Sequence, residues 1–254
     1  GIMSINMSKK KKKVAVIIGV IICLCLLFIG AFYVSKNKVD KNVNNKKVIS
    51  QKTDVKKNEI DGFDIGVLTK DEFYKAMEVG KQYKGKSVRI EGVNSITIQD
   101  NNSEIEKIIN SLITTPYHMV IGISKNLTEK YIDVNNDNFK KEYIQQKEKY
   151  GIDLNTYRCM VNLVGKDDNF IKYTNIVLRV YGKNKIQVLQ PIKVDNSLPS
   201  EVYNSGNGYY NSIIGIFSAK DIIQLNPQQL EIIVIYPDGK EAKQKFDYNK
   251  LNQL

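Results

Sequence analysis

The sequence predicts an α+β, β-rich protein: an N-terminal transmembrane helix, a helix-containing region, and an antiparallel sheet or immunoglobulin-like sandwich of about six strands. Three observations predict it. Val14 to Val34 is a run of 21 uncharged, mostly apolar residues. Two helix-start motifs, Thr69-x-x-Glu72 and Ser103-x-x-Glu106, stand in the first half of the chain beyond that run. From Tyr157 onward the apolar residues alternate with period two.

At 1.5 Å per residue, a helix over 14–34 covers roughly 30 Å, the thickness of a bilayer's hydrocarbon core. Tyr33 falls at one end, where an amphipathic ring suits the interface. A cleaved signal peptide is the competing reading, but its apolar core is ordinarily shorter, about 7–15 residues. Lys9–Lys13 abut the run and place that end inside by the positive-inside rule, against Lys36, Lys38, Lys41, Lys46 and Lys47 beyond it. The expected divisions are a basic cytoplasmic tail (1–13), the span (14–34), a flexible linker (35–61) and an extracytoplasmic domain (62–254). That domain could subdivide into 62–152 and 155–254. The linker is Lys/Asn-rich, without aromatic residues or periodicity.

Charge narrows the choice of partners. The net charge is +11, yet from Gly62 onward 25 Lys and Arg stand against 23 Asp and Glu. The excess sits beside the apolar run and not on the domain, so nucleic acid is not an expected partner. Cys23 and Cys25 lie in the apolar run, leaving Cys159 without a partner for an intradomain disulfide. The domain must then stand on its hydrophobic core. Abundant Lys, Asn and Ile point to an AT-rich, bacterial genome.

In chain order, the Thr69 capping box opens a helix that buries Phe73, Ala76 and Met77 and stops at Gly80. Val88 to Ile98 reads as extended, with a bend near Gly92. The Ser103 box predicts a second helix with Ile105, Ile108, Ile109 and Leu112 as its stripe. YHMVIGIS (117–124) reads as a strand after Pro116. A third helix over 137–150 buries Phe139, Tyr143, Ile144 and Tyr150, and Gly151 stands past its end. Tyr157, Cys159, Val161 and Leu163 share one face of a strand. Further strands run through Ile176–Val180 and Ile186–Val194. LEIIVIY (230–236) is apolar enough to be covered on both faces. After Pro237-Asp238-Gly239, the charges Lys243, Lys245 and Asp247 mark a protected edge strand.

No motif assembles chemistry, and no catalytic residue, metal or cofactor is expected. Asp133-x-Asn135-x-Asp137 begins like a calcium loop, but Asn138 stands where glycine is needed and Ile144 where glutamate is. His118 is the sole histidine, and Cys159 alternates with apolar residues as a buried cysteine does. Only their pairing could make a thiol catalyst. Ser35-x-x-Lys38 lies in the linker without the companion motifs of acylating enzymes. SGNGYYNS (205–212) offers a contact loop: Gly206 and Gly208 allow unusual backbone angles, and Tyr209 and Tyr210 present amphipathic surface. The competing reading makes those tyrosines the start of the next strand.

The function expected from this organisation is non-enzymatic: a membrane-anchored extracytoplasmic interaction or assembly domain. Its place is a cell-envelope, secretion or conjugation complex, with the membrane, through 14–34, and an envelope protein as partners. The alternatives are an extracytoplasmic enzyme acting on cell-wall or peptide substrates and a ligand-sensing ectodomain.

Overall fold

A computed structural model describes residues 58–86, 105–196, 199–203 and 207–253. The apolar run 14–34, the extended segment expected over 88–98, and Gly206 lie outside the described residues. Residues 56–254 form a compact unit, and its described part is α+β and β-rich, with several antiparallel sheets and four helices. Among the described residues no helix is long and apolar enough to cross a membrane.

A small ladder of β1 (Glu59–Ile60) and β2 (Phe63–Asp64) opens this unit. Ile60 is buried, so structure begins a few residues before the expected end of the linker. Helix α1 (Lys70–Gln82) starts as anticipated. Thr69 Oγ1 accepts from Glu72 N–H, and the Glu72 carboxylate accepts from Thr69 N–H. Gly80 does not stop it. It lies inside the helix, where a Cβ would come within 2.5 Å of Ser124 Cβ and 2.6 Å of Ile121 O. This glycine serves close helix–helix approach and not termination.

Two sequence-based expectations are reversed here. Residues 103–112 were expected to be helical, but Lys107–Thr114 is strand β3. A bulge between Ile108 and Asn110 shifts its register, so Ile108, Ser111 and Ile113 are the buried positions. That irregular spacing imitates a helical stripe. Residues 117–124 were expected to be a strand, but Pro116–Glu129 is helix α2. Proline at its first position, a Thr115 cap, and apolar residues on most sides mark a buried helix, which periodicity cannot separate from a buried strand.

Helix α3 (Asn136–Tyr150) matches the third expected helix. Asn135 is its cap, Asp137 lies in its first turn, and Gly151 takes the left-handed conformation at φ 66°. Phe139 and Tyr143 are buried, whereas Ile144 and Tyr150 are exposed. The three helices enclose a core of their own, in which Phe73 and Phe139 meet edge to face at 4.9 Å.

The remaining strands are β4 (Thr156–Gly165), β5 (Asn175–Gly182), β6 (Ile186–Leu189), β7 (Lys193–Asp195), β8 (Glu201–Val202), β9 (Tyr209–Ser218), β10 (Pro227–Ile235) and β11 (Glu241–Asp247). A short helix α4 (Ala219–Ile223) joins β9 to β10. They form two sheets, ordered β11–β10–β5–β6 and β3–β4–β9–β7, with β8 also on β9. Their facing sides share one core, which includes Tyr157, Cys159, Val161 and Leu163 as expected. Leu230 to Val234 are buried on both faces, and β11 is an edge carrying Lys243, Lys245 and Asp247 outward. Because β3 joins this sandwich, a cut between 152 and 155 does not separate helices from strands. Tyr157 and Tyr248 hydroxyls meet at 3.0 Å, and Tyr236 Oη donates to Val164 O and Lys107 O, tying the sheets together.

Candidate functional site

The strand pairing that fills the sandwich also composes a second surface. Successive side chains alternate across a sheet. With Cys159 and Val161 turned inward, Arg158, Met160 and Asn162 take the outer face. The register sets Leu112 and Ile214 beside Met160, and Thr114 and Ile216 beside Arg158. Asn162 Nδ2 donates to Asn110 Oδ1, and Asn162 Oδ1 accepts from Ser212, closing a polar row next to the apolar one.

Helices α2 and α3 stand over this face without sealing it. Between them and the sheet lies a groove of about 770 Å³, within the range of small-ligand clefts. Its floor is Leu112, Met160 and Ile214, and its walls include His118, Ile123, Glu142 and Tyr150. Gly122 faces open space, since a Cβ there would meet nothing within 4 Å.

Two charged groups of the groove are held in place. The Glu142 carboxylate is buried yet accepts from Lys130 Nζ at 3.0 Å, Gln146 Nε2 at 2.9 Å and Asn126 Nδ2 at 2.5 Å. Burial pushes its pKa up, but the hydrogen bonds from Gln146, Lys130 and Asn126 outweigh this and hold it below the ordinary carboxylate value. Arg158 Nη1 donates to Tyr150 O at 2.8 Å, fixing its guanidinium beside the end of α3. Such an arrangement can bind and orient a ligand with apolar and polar parts. Its one buried carboxylate, Glu142, is paired with Lys130.

His118 is bound into the start of α2. Its N–H donates to Thr115 Oγ1 at 3.3 Å, and its Nδ1 accepts from Thr115 N–H at 3.2 Å. Nδ1 being an acceptor, the neutral ring carries its proton on Nε2. Burial lowers its pKa to about 4, against a smaller upward pull from the carbonyls of Leu251 and Ile113. Cys159 is fully buried among apolar neighbours, and burial drives its thiol pKa far up. His118, on helix α2, lines the groove beside the outer face of the sheet, whereas Cys159 is turned into the core on its inner face, so the thiol–imidazole pair does not form. Among the described residues no group of His, Cys, Asp and Glu is placed to hold a metal ion.

The contact loop is only partly a loop. Tyr209 and Tyr210 are half-buried at the start of β9, opposite Gly165 and Val164, with β8 on their other side. Gly208 has φ 119°, and a Cβ there would lie 2.7 Å from Val164 Cγ1. Its conformation serves entry into the strand. The groove itself escaped sequence reading, although one signal was present: the alternation of 157–163 leaves Arg158 opposite the apolar set, in a chain whose basic residues are nearly all lysine.

No protein-family model matches the chain, and no curated protein matches it. Several solved structures do so weakly. The archaellum periplasmic stator protein FlaG from Sulfolobus acidocaldarius is 19% identical, with a TM-score of 0.22 over 37% of this chain and 89% of that one. The complex of FlaF and FlaG from the same organism gives 19% identity and a TM-score of 0.22, over 36% of this chain and 77% of that one. A protein of unknown function from Burkholderia pseudomallei is 11% identical, with a TM-score of 0.31 over 72% of this chain and 88% of that one. Likeness at this level assigns neither family nor function.

Proposed function

We propose that this chain is a non-enzymatic interaction or assembly domain, anchored by residues 14–34 with Lys9–Lys13 inside and the folded unit outside the cytoplasm, serving a cell-envelope complex of the secretion or conjugation kind. The supporting observation is the disposition of its two most reactive side chains. His118 is used as a helix-capping partner, Cys159 is used as core, and the sheet stands between them. The anchor acts by concentrating the domain near membrane partners, an effect that vanishes on release.

The test is complementation of a host strain lacking the gene, with membrane level and folding measured alongside. His118→Ala and Cys159→Ser should preserve the phenotype, and deletion of residues 1–34 should abolish it. Complete loss on replacing either side chain, with the protein folded and in place, would transfer the reading to an enzyme. The groove beneath α2 and α3 favours a second reading, a ligand-sensing ectodomain. Gly122→Phe would obstruct it and leave a pure assembly function unchanged.

A further inference from the structure

The two outer edges of the four-stranded sheet are unlike. Edge β11 turns Glu241, Lys243, Lys245 and Asp247 outward, the usual protection against unwanted strand pairing. Edge β6 reads Ile-Gln-Val-Leu and carries no charge. Among the described residues it pairs with β5 alone.

The hairpin decides which backbone groups β6 leaves over. Gly182 N–H donates to Lys185 O at 2.9 Å, so these residues are a hydrogen-bonded pair. Such pairs alternate along an antiparallel ladder with pairs whose groups point away. With Tyr181 opposite Ile186 and Arg179 opposite Val188, Gln187 and Leu189 bond to β5, while Ile186 and Val188 direct N–H and C=O to the open side. The same two residues have exposed side chains, at 62% and 46%. Lys183 and Lys185 are exposed at the hairpin end and form no ion pair among the described residues. At the other end the chain is neutral: Gln190, Pro191 and an exposed Ile192.

We propose that β6 receives an extended segment of a partner protein as an added antiparallel strand. This segment is apolar beside Ile186 and Val188 and carries carboxylates at its C-terminal end, against Lys183 and Lys185. Antiparallel pairing continues the existing sheet and sets the partner's last residues at the lysines. Charge selects this occupant over a second copy. Two β6 edges would pair about Gln187, setting Lys185 opposite Leu189 and Lys183 opposite Pro191, so no carboxylate would meet either lysine. A four-residue edge also buries far less than the roughly 1,000 Å² of a stable dimer.

This inference rests on the interaction-domain reading, and peptide binding separates the two. The probes are two fluorescent peptides of identical composition, alternating valine and threonine, with glutamates at the C-terminal end of one and the N-terminal end of the other. The purified full chain in detergent should bind the first about fivefold more tightly at low salt. Val188→Pro removes an N–H that takes no partner among the described residues and should weaken binding at least about tenfold, with the thermal transition retained. Should that variant unfold, the surface pair Lys183→Glu and Lys185→Glu should reverse the order of the two peptides. Equal binding, no binding, or an order unchanged by the double variant would overturn the proposal. A concentration-dependent dimer blocked by Val188→Pro would replace the partner with a second copy. Complementation that still requires residues 1–34 while both peptides fail would leave the function standing and remove this edge from it.

Discussion

The inner and outer faces of the five-stranded sheet are built from the same strands, yet one is sealed and the other is open. On the inner face Cys159, Val161 and Leu163 are wholly buried against the opposing sheet. On the outer face Arg158, Met160 and Asn162 are only part-covered, and helices α2 and α3 leave a groove above them. Alternation along one strand thus separates Cys159, Val161 and Leu163, which fill the core, from Arg158 and Met160, which line the groove. The helices can stand off because they bury their apolar faces mainly against one another.

Truncation on the two faces should break or confirm this contrast most sharply. Leu163→Ala leaves a cavity in a sealed core and should cost about 2–5 kcal/mol. Met160→Ala on the groove floor should cost about 1 kcal/mol or less. Urea unfolding monitored by circular dichroism reads both, and equal costs would show the groove to be packed shut in solution.

Acid should act from the groove side. The folded-state pKa of His118, about 4, lies below its unfolded value of about 6.5, so the unfolded chain binds the extra proton between those limits. Stability is therefore full above pH 6.5 and falls as the pH drops toward 4, by up to about 3 kcal/mol. With a single histidine in the chain, His118→Gln, which keeps a side-chain acceptor for the cap, should flatten the decline between pH 6.5 and 4.5. An unchanged slope would mean that His118 titrates as an exposed side chain.

Effects of opposite sign should come from two glycines of the helical layer. Gly80→Ala forces a Cβ onto Ser124 and Ile121 and should lower stability by about 1–3 kcal/mol. Gly122→Ala enters open space over the groove and should raise it by up to about 1 kcal/mol through helix propensity. Differential scanning calorimetry of the pair measures how closely each face of α2 is approached.

Legibility in the sequence followed the locality of the signal. The Thr69 and Glu72 box, Gly151 past α3, and the alternation of Tyr157 to Leu163 depend on residues within a turn or a strand, and all three lie where local chemistry puts them. Ile105 to Leu112 misled because a bulge broke the period of two, and Tyr117 to Ser124 misled because a helix buried on most sides shows no polar face. The groove was hidden for a further reason. Arg158, Glu142 and Lys130 come to line one groove through the packing of α2 and α3 above β4.

The Thr69 box, the glycine after α3 and the period-two runs specified their elements locally, and composition alone gave the apolar run 14–34 and a domain with a single cysteine and near-balanced charge. The tertiary structure alone decided that β3 pairs with β4, that Gly80 is a contact and not a stop, and that His118 and Cys159 face opposite ways. It alone decided which of two sheet edges is left uncharged. The reason is physical: periodicity and capping act over a few residues, whereas register and close approach are chosen by which distant surfaces must share one core.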